Sequence, residues 1–240
     1  YAKLSRELGH TDNGADVFIL YGLFTTLTNV NFNADRFVEL IAEAKQIRDR
    51  LRAAYEHAAV EQNVPIETPE GPAVWEPATV KAGLLLQVEH AAIDKDLDIV
   101  GEDIVGLRAM MLYGLKGVAA YCYHAHVLGY QNEEVFERIE KALDLLANEP
   151  TDAELLLGGC LEVGAINLKV MELLDAANTG QFGAQEAGAA RTTAVKGKAI
   201  LVSGHDMQDL YDLLEQTKDT GINIYTHGEM LPAHAYPKLK

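Results

Sequence analysis

Cysteine is scarce in this chain, whose 240 residues contain two, Cys122 and Cys160. Two thiols cannot form a disulfide scaffold, and low cysteine usage is typical of proteins in a reducing compartment. Both residues lie in apolar, helix-like contexts, where a free thiol usually packs as a small core residue. Because an iron–sulfur cubane needs about four thiolates, the cysteines of this chain cannot hold one by themselves.

Positive charge is also in short supply, since 20 lysines and arginines stand against 36 aspartates and glutamates, giving a formal net charge of −16. Nucleic-acid binding needs a basic surface that displaces counterions. No apolar run approaches the roughly 20 residues that cross a bilayer, and no basic, apolar leader begins at Tyr1. We therefore expect a cytoplasmic protein that binds neither nucleic acid nor membrane.

Several familiar catalytic patterns are missing. The glycines of residues 180–188 do not follow a strand, and no G-x-x-x-x-G-K or G-x-S-x-G occurs, so neither nucleotide binding nor a serine hydrolase is expected. His124 and His126 are two residues apart on a predicted helix and point to opposing sides. Glu7 and His10 form a single E-x-x-H, whereas di-iron bundles need two such motifs and two further glutamates. None of these residues is expected to bind a metal.

Most of the chain has the pattern of consecutive helices joined by short loops, which favours an antiparallel helical bundle. Asn33 is predicted to cap the first long helix, and Thr151 with Glu154 forms a capping-box pattern at the start of the last, which Gly180 would end. Four prolines between residues 63 and 79 predict an irregular surface segment. The predicted helices cover residues 34–62, 81–94, 103–128, 132–148 and 151–178.

The pattern changes near residue 198. Residues 198–203 form a short apolar run rich in β-formers, a helical pattern capped by Asp206 follows, and residues 221–225 alternate as a second strand would. A strand, helix and strand in this order are parallel neighbours, so both strands end at the same edge of the sheet. We expect a helical bundle domain at 1–190 and the beginning of a Rossmann-like α/β domain at 191–240.

Two potential metal ligands, His205 and Glu229, follow the ends of these two predicted strands. Adjacent strands lie roughly 5 Å apart, and crevices at the carboxyl ends of strands are where open α/β sheets bind ligands. The sequence therefore predicts that this imidazole and this carboxylate converge on one metal site. His227 and His234 lie close by and are candidates for orienting a ligand or delivering protons.

The strings VSGHDMQDLYDLLEQT and NIYTHGEMLPAHAYP resemble the start of the second domain of the hybrid-cluster proteins. These proteins are also called prismane proteins or hydroxylamine reductases, and are relatives of the nickel–iron carbon monoxide dehydrogenases. Three further segments are similar to the family's helical first domain, in the same order: residues 24–33, 103–129 and 166–183. The resemblance covers essentially the whole chain.

The resemblance implies that His205 of the GHD motif and Glu229 of the HGEMLPAH motif are catalytic, cofactor-binding ligands of an iron–sulfur–oxygen cluster. The family's other ligands, several cysteines and another glutamate, fall beyond Lys240, and its cysteine-rich cubane motif falls before Tyr1. We therefore expect this chain to be an inactive piece of a larger oxidoreductase. The implied reactions are reduction of hydroxylamine to ammonia and of nitric oxide to nitrous oxide, with electrons entering from a separate reductase through an amino-terminal cluster.

Two alternatives stay open. One is a carbon monoxide dehydrogenase relative with nickel in its cluster, against which the glutamate of HGEMLPAH argues. The other is a metal-free helical scaffold that mediates docking or assembly. Under any of these interpretations, a parallel strand pair is normally buried in a larger sheet, so residues 198–240 are expected to fray, to swap between chains or to pack on the helices.

Overall fold

The structure is a computed structural model that describes residues 1–27 and 31–239. Thr28, Asn29 and Val30, which belong to one of the family-like segments, and Lys240 lie outside the described residues. The chain is mainly helical and ends in a two-stranded parallel sheet, which confirms the predicted fold class. Within the described ranges, no helix is both long enough and apolar enough to span a bilayer.

The chain divides into two compact units: Tyr1–Tyr123 with Asn132–Val170, and His124–Gln131 with Met171–Lys240. The domain boundary near residue 190 is a different division and stays a prediction. The helices are α1 (Ala2–Glu7), α2 (Asn13–Thr25), α3 (Ala34–Glu61), α4 (Lys81–Leu86), α5 (Leu97–Val100), α6 (Glu102–Val127), α7 (Glu133–Ala147), α8 (Ala153–Phe182) and α9 (Met207–Thr217). The strands are β1 (Lys198–Ser203) and β2 (Ile222–His227), and 3-10 turns occupy Gly71–Val74, Val88–Ala91, Gly228–Ala235 and Pro237–Leu239.

The first unit is built around an apolar core to which α2, α6, α7 and α8 contribute. Its helices approach closely where glycines replace larger residues. A Cβ atom added to Gly114 of α6 would lie 2.8 Å from Val163 Cγ1 of α8, so the absence of a side chain there lets the two helices pack at close range. The buried members of the core are Leu20, Met111, Leu115, Val118, Ala119, Cys122, Val135, Phe136, Ile139, Ala142, Val163, Ile166 and Val170.

Helix starts follow the local capping signals in most cases. Asn33 caps α3 by accepting hydrogen bonds from the backbone N–H groups of Asp35 and Arg36, and Asn132 caps α7 in the same way. The capping box predicted for Thr151 with Glu154 is wrong, because Asp152 Oδ1 accepts from the N–H groups of Glu154 (2.8 Å) and Leu155 (3.1 Å) instead. The carboxylate of Asp152 also suits the positive end of the helix dipole.

Two helix ends differ from prediction because of side-chain contacts. The single helix expected over residues 81–94 stops at Leu86, where the Gln87 side chain turns back to the Ala78 N–H (2.8 Å) and the Glu76 carbonyl (3.0 Å). The last long helix continues past Gly180 to Phe182, since Phe182 is fully buried. Gly183, with φ +92°, follows its last residue. Helices α1, α2 and α5 have no counterpart among the predicted elements.

The second unit contains the predicted β-α-β arrangement. Strands β1 and β2 are parallel, in a register that runs from Lys198 opposite Ile222 to Ser203 opposite His227. The strand pair packs on helix ends, one of the three expected outcomes, because Val202 and Ile224 contact a core that includes Phe182 of α8. The buried members of this core are Phe182, Met207, Leu210, Met230, Ala233, Tyr236 and Leu239.

Candidate metal centre

His205 is positioned by a strand end on one side and a helix start on the other. Strand β1 ends at Ser203, and Gly204 then adopts φ +126°, a conformation that favours glycine. His205 follows, and Asp206 caps α9 by accepting a hydrogen bond from the Asp209 backbone N–H (2.9 Å). His205 therefore lies in a two-residue corner, Gly204 and His205, that connects β1 to the start of α9.

Glu229 is held by its neighbours rather than by its own burial. Strand β2 ends at His227, and Gly228, with φ +54°, turns the chain into the 3-10 helix Gly228–Ala235. Met230 and Ala233 of that helix are buried in the apolar core of the second unit. Because these two side chains fix the 3-10 helix, the backbone of Glu229 has a defined position although its side chain is 69% exposed.

The structure brings His205 and Glu229 together. His205 Nε2 lies 3.1 Å from Glu229 Oε2, and the two side chains are 47% and 69% exposed. This distance fits a hydrogen bond from the imidazole to the carboxylate. It also fits common ligation, since two neighbouring ligands, each roughly 2.1 Å from one ion, lie roughly 3 Å apart. The pair thus presents one nitrogen and one oxygen donor at an open edge of the sheet.

The other two candidate histidines make separate contacts. His227 is exposed, and its Nδ1 lies 3.4 Å from Ser203 Oγ, across the final pair of the strand register. His234 Nε2 lies 2.7 Å from Thr226 Oγ1, so it bonds back to β2. Their roles in orienting a ligand or delivering protons stay predictions.

Asp206 has a second partner that the sequence did not reveal. Its Oδ2 lies 3.2 Å from His124 Nδ1 of α6, while Oδ1 accepts the capping bond from Asp209. The hydrogen bond from His124 is the main cause that lowers the pKa of Asp206, assisted by backbone N–H groups and opposed by burial. The sequence pattern pairs His124 only with His126. No local pattern links it to Asp206, because 82 residues separate them.

The cysteines are poor donors as they stand. Burial raises the pKa of Cys122 to about 12 and also raises the pKa of Cys160, so both thiols are protonated at neutral pH. Among residues 1–27 and 31–239, no group of three or more histidine, cysteine or acidic side chains is arranged to hold a metal ion. His205 and Glu229 fit a metal as two of its ligands, and a complete site requires donors from elsewhere.

Comparison with known proteins places this chain. The sequence profile of the Prismane/CO dehydrogenase family matches residues 1–240. The chain belongs to the Prismane/CO dehydrogenase family. Hydroxylamine reductases from Burkholderia lata and Acidithiobacillus ferrooxidans are each 57% identical to it, and one from Rhodospirillum rubrum is 48% identical, all over 100% of this chain. The chain spans 43% of the length of the first two relatives and 44% of the third.

Membership of the Prismane/CO dehydrogenase family confirms the resemblance inferred from the GHD and HGEMLPAH motifs. These motifs carry His205 and Glu229, the two residues whose side chains meet at the shared strand edge. The parallel register of β1 and β2 therefore brings these same two residues within hydrogen-bonding distance.

Proposed function

We propose that this chain is part of a hydroxylamine reductase in which His205 and Glu229 bind the substrate-side irons of an iron–sulfur–oxygen cluster. The observation that carries the proposal is the 3.1 Å approach of His205 Nε2 to Glu229 Oε2. It is supported by relatives named hydroxylamine reductase that match the chain from end to end.

The chemistry of the donor set supports an oxygen-binding metal centre. Imidazole and carboxylate are hard ligands that suit irons able to bind an oxygenated substrate, whereas thiolates suit the sulfide-rich, electron-storing part of a cluster. Since burial raises the pKa of both Cys122 and Cys160, we infer that the thiolates of such a cluster come from the part of the protein that this chain does not span. When bound, the cluster supplies the electrons that cleave the N–O bond of hydroxylamine.

The residues of this chain would hold the irons and help to move protons. Reduction of hydroxylamine to ammonia and water consumes two electrons and two protons, so a proton source is needed near the metal. His227 is exposed at the same strand edge, and an imidazole ring can both accept and donate a proton. We assign proton delivery to His227. The bond between His234 and Thr226 supports the 3-10 helix to which Glu229 belongs.

The proposed reactants and partners are those expected from the sequence. The substrate is a small nitrogen compound, with joining of two nitric oxide molecules into nitrous oxide as a second reaction. Electrons come from a separate reductase through an amino-terminal iron–sulfur cubane, and the protein acts in the cytoplasm. A nickel-containing carbon monoxide dehydrogenase is the competing enzyme, and metal analysis of the full-length protein for iron and nickel separates the two.

The test is Glu229→Ala in the full-length protein that contains this chain. Hydroxylamine reduction is expected to fall by more than about a hundredfold, since losing a ligand costs more than the 10- to 100-fold typical of changes around one. Iron content is expected to fall, while the spectrum of the amino-terminal cluster remains. Glu215→Ala is the matched control, because Glu215 is another exposed glutamate of the second unit, on α9. Unchanged turnover in Glu229→Ala overturns the assignment, and an iron-free parent supports a scaffold instead.

A further inference from the structure

His124 is a largely buried polar side chain, 16% exposed, to which the proposed function gives no part. It lies near the end of α6, and its Nδ1 is 3.2 Å from Asp206 Oδ2. Asp206 is the residue directly after His205. The contact therefore connects α6 to the corner that carries one of the two proposed ligands, and both partners belong to the second compact unit.

The Asp206 carboxylate is fixed at both of its oxygens. Oδ1 accepts the capping bond from the Asp209 N–H at 2.9 Å, and Oδ2 takes the bond from His124. The first turn of α9 is also anchored, because Met207 and Leu210 are buried in the apolar core. A carboxylate held at two points on an anchored turn leaves the backbone of residue 206 little freedom to rotate.

Gly204, on the amino side of His205, constrains the backbone much less than Asp206 does. Gly204 has no side chain and adopts φ +126°, and glycine allows more backbone conformations than any other residue. The backbone on the carboxyl side of His205 is consequently better constrained than the backbone on its amino side. The bond between His124 and Asp206 acts on the carboxyl side.

We propose that His124 is a positioning residue: by holding the second oxygen of Asp206, it fixes the corner that aims His205 at Glu229. Residues around metal ligands commonly act in this way, and their loss typically lowers metal affinity or activity by 10- to 100-fold. The catalytic consequence rests on the proposed function above. The geometric part, that His124 controls the approach of His205 to Glu229, does not.

Two polar variants of His124 in the full-length protein separate positioning from simple packing. Asparagine places its amide nitrogen near the position of Nδ1 and can donate to Asp206, whereas glutamine extends its nitrogen toward the position of Nε2. His124→Asn is therefore expected to retain iron content and turnover within about threefold, while His124→Gln loses on the order of 10- to 100-fold in turnover and part of its iron. A purely structural role would instead penalise both variants alike.

His126 provides the matched control, because it lies on the same helix and bonds to Gln131, with His126 Nδ1 2.7 Å from Gln131 Nε2. His126→Gln is expected to keep parental turnover and iron content. A crystal structure of His124→Gln supplies a readout that does not depend on activity. In it, His205 Nε2 should lie well beyond 3.1 Å from Glu229 Oε2, the distance in the parent chain.

The outcomes distinguish this inference from the proposed function. If Glu229→Ala is inactive but His124→Gln keeps parental iron content, turnover and the His205 to Glu229 distance, the positioning role is wrong and the ligand assignment stands. If Glu229→Ala is fully active while His205 moves in His124→Gln, the positioning role stands and the ligand assignment is wrong. Equal losses in His124→Asn and His124→Gln also overturn the positioning role.

Discussion

Arg6 lies between two buried carboxylates, with Nη2 2.8 Å from Asp16 Oδ2 and Nε 3.2 Å from Glu140 Oε2. The side chains of Asp16 and Glu140 are 2% and 4% exposed. The guanidinium also contacts Glu133, which is largely exposed. Burial raises the pKa of Glu140 to about 7, and its hydrogen bond with Asp16 acts in the same direction, while Arg6 opposes both. This cluster joins α1, α2 and α7 within the first unit.

The Glu140 carboxyl predicts a specific pH dependence of stability. Its pKa rises from an ordinary value of 4.5 to about 7 on folding, so the folded state holds this proton more tightly than the unfolded state. The favourable contribution is complete below pH 4.5 and is lost as the pH rises toward about 7. Glu140→Gln mimics the protonated form, so its stability relative to the parent should rise from pH 5 to about pH 7, by at most about 1.4 kcal/mol per pH unit, and level off above that.

The measurement is the unfolding midpoint of parent and variant at several pH values between 5 and 8. Glu137→Gln serves as control, since Glu137 is on the same helix but is exposed and bonds to Lys141, which lowers the pKa of Glu137. Its stability difference from the parent should not vary over this pH range. A pH-independent difference for Glu140→Gln would contradict the assignment of this proton.

The close packing of α6 against α8 predicts opposite effects at two glycines of α6. A Cβ atom on Gly114 would meet Val163 Cγ1 at 2.8 Å, and Val163 is buried and stiff at χ1. Gly114→Ala should therefore destabilise the protein by about 1–3 kcal/mol. A Cβ atom on Gly117 would have no described neighbour within 4 Å beyond its own stretch of helix backbone. Gly117→Ala should therefore stabilise the protein by up to about 1 kcal/mol. Denaturant unfolding of the two variants gives the comparison, and equal signs would contradict it.

The capping of α8 predicts that substitutions of the adjacent residues Thr151 and Asp152 differ in their effect on stability. Asp152 Oδ1 caps the helix through the N–H groups of Glu154 and Leu155. Asp152→Ala should therefore cost about 1 kcal/mol of stability, whereas Thr151→Ala should change it by less than about 0.5 kcal/mol. Thermal unfolding measures both. A larger loss in the threonine variant would restore the capping box that the sequence pattern suggested.

Signals confined to a few residues were predictable from the sequence. Asn33, Asn132 and Asp206 cap the helices that follow them because a short polar side chain reaches N–H groups two or three residues ahead. The meeting of His205 with Glu229 was also predictable, because parallel strands end at one edge whatever the rest of the sheet contains. In each case the geometry depends on local chain rules and not on distant partners.

Contacts between distant residues were not predictable in this way. Arg6 and Glu140 are 134 residues apart, and His124 and Asp206 are 82 apart. No periodicity or propensity specifies such a pairing, because it depends on how the helices pack. Side-chain contacts that the helical pattern does not specify also account for the two misplaced helix ends: the Gln87 side chain stops α4 through bonds to residues 76 and 78, and the buried Phe182 ring extends α8.

The burial of Met230 and Ala233 has a consequence for what holds this part of the chain in shape. Apolar contacts, which need no iron, give the peptide around Glu229 its shape. Folding of this stretch therefore does not depend on a bound metal, and a chelator should leave its shape unchanged.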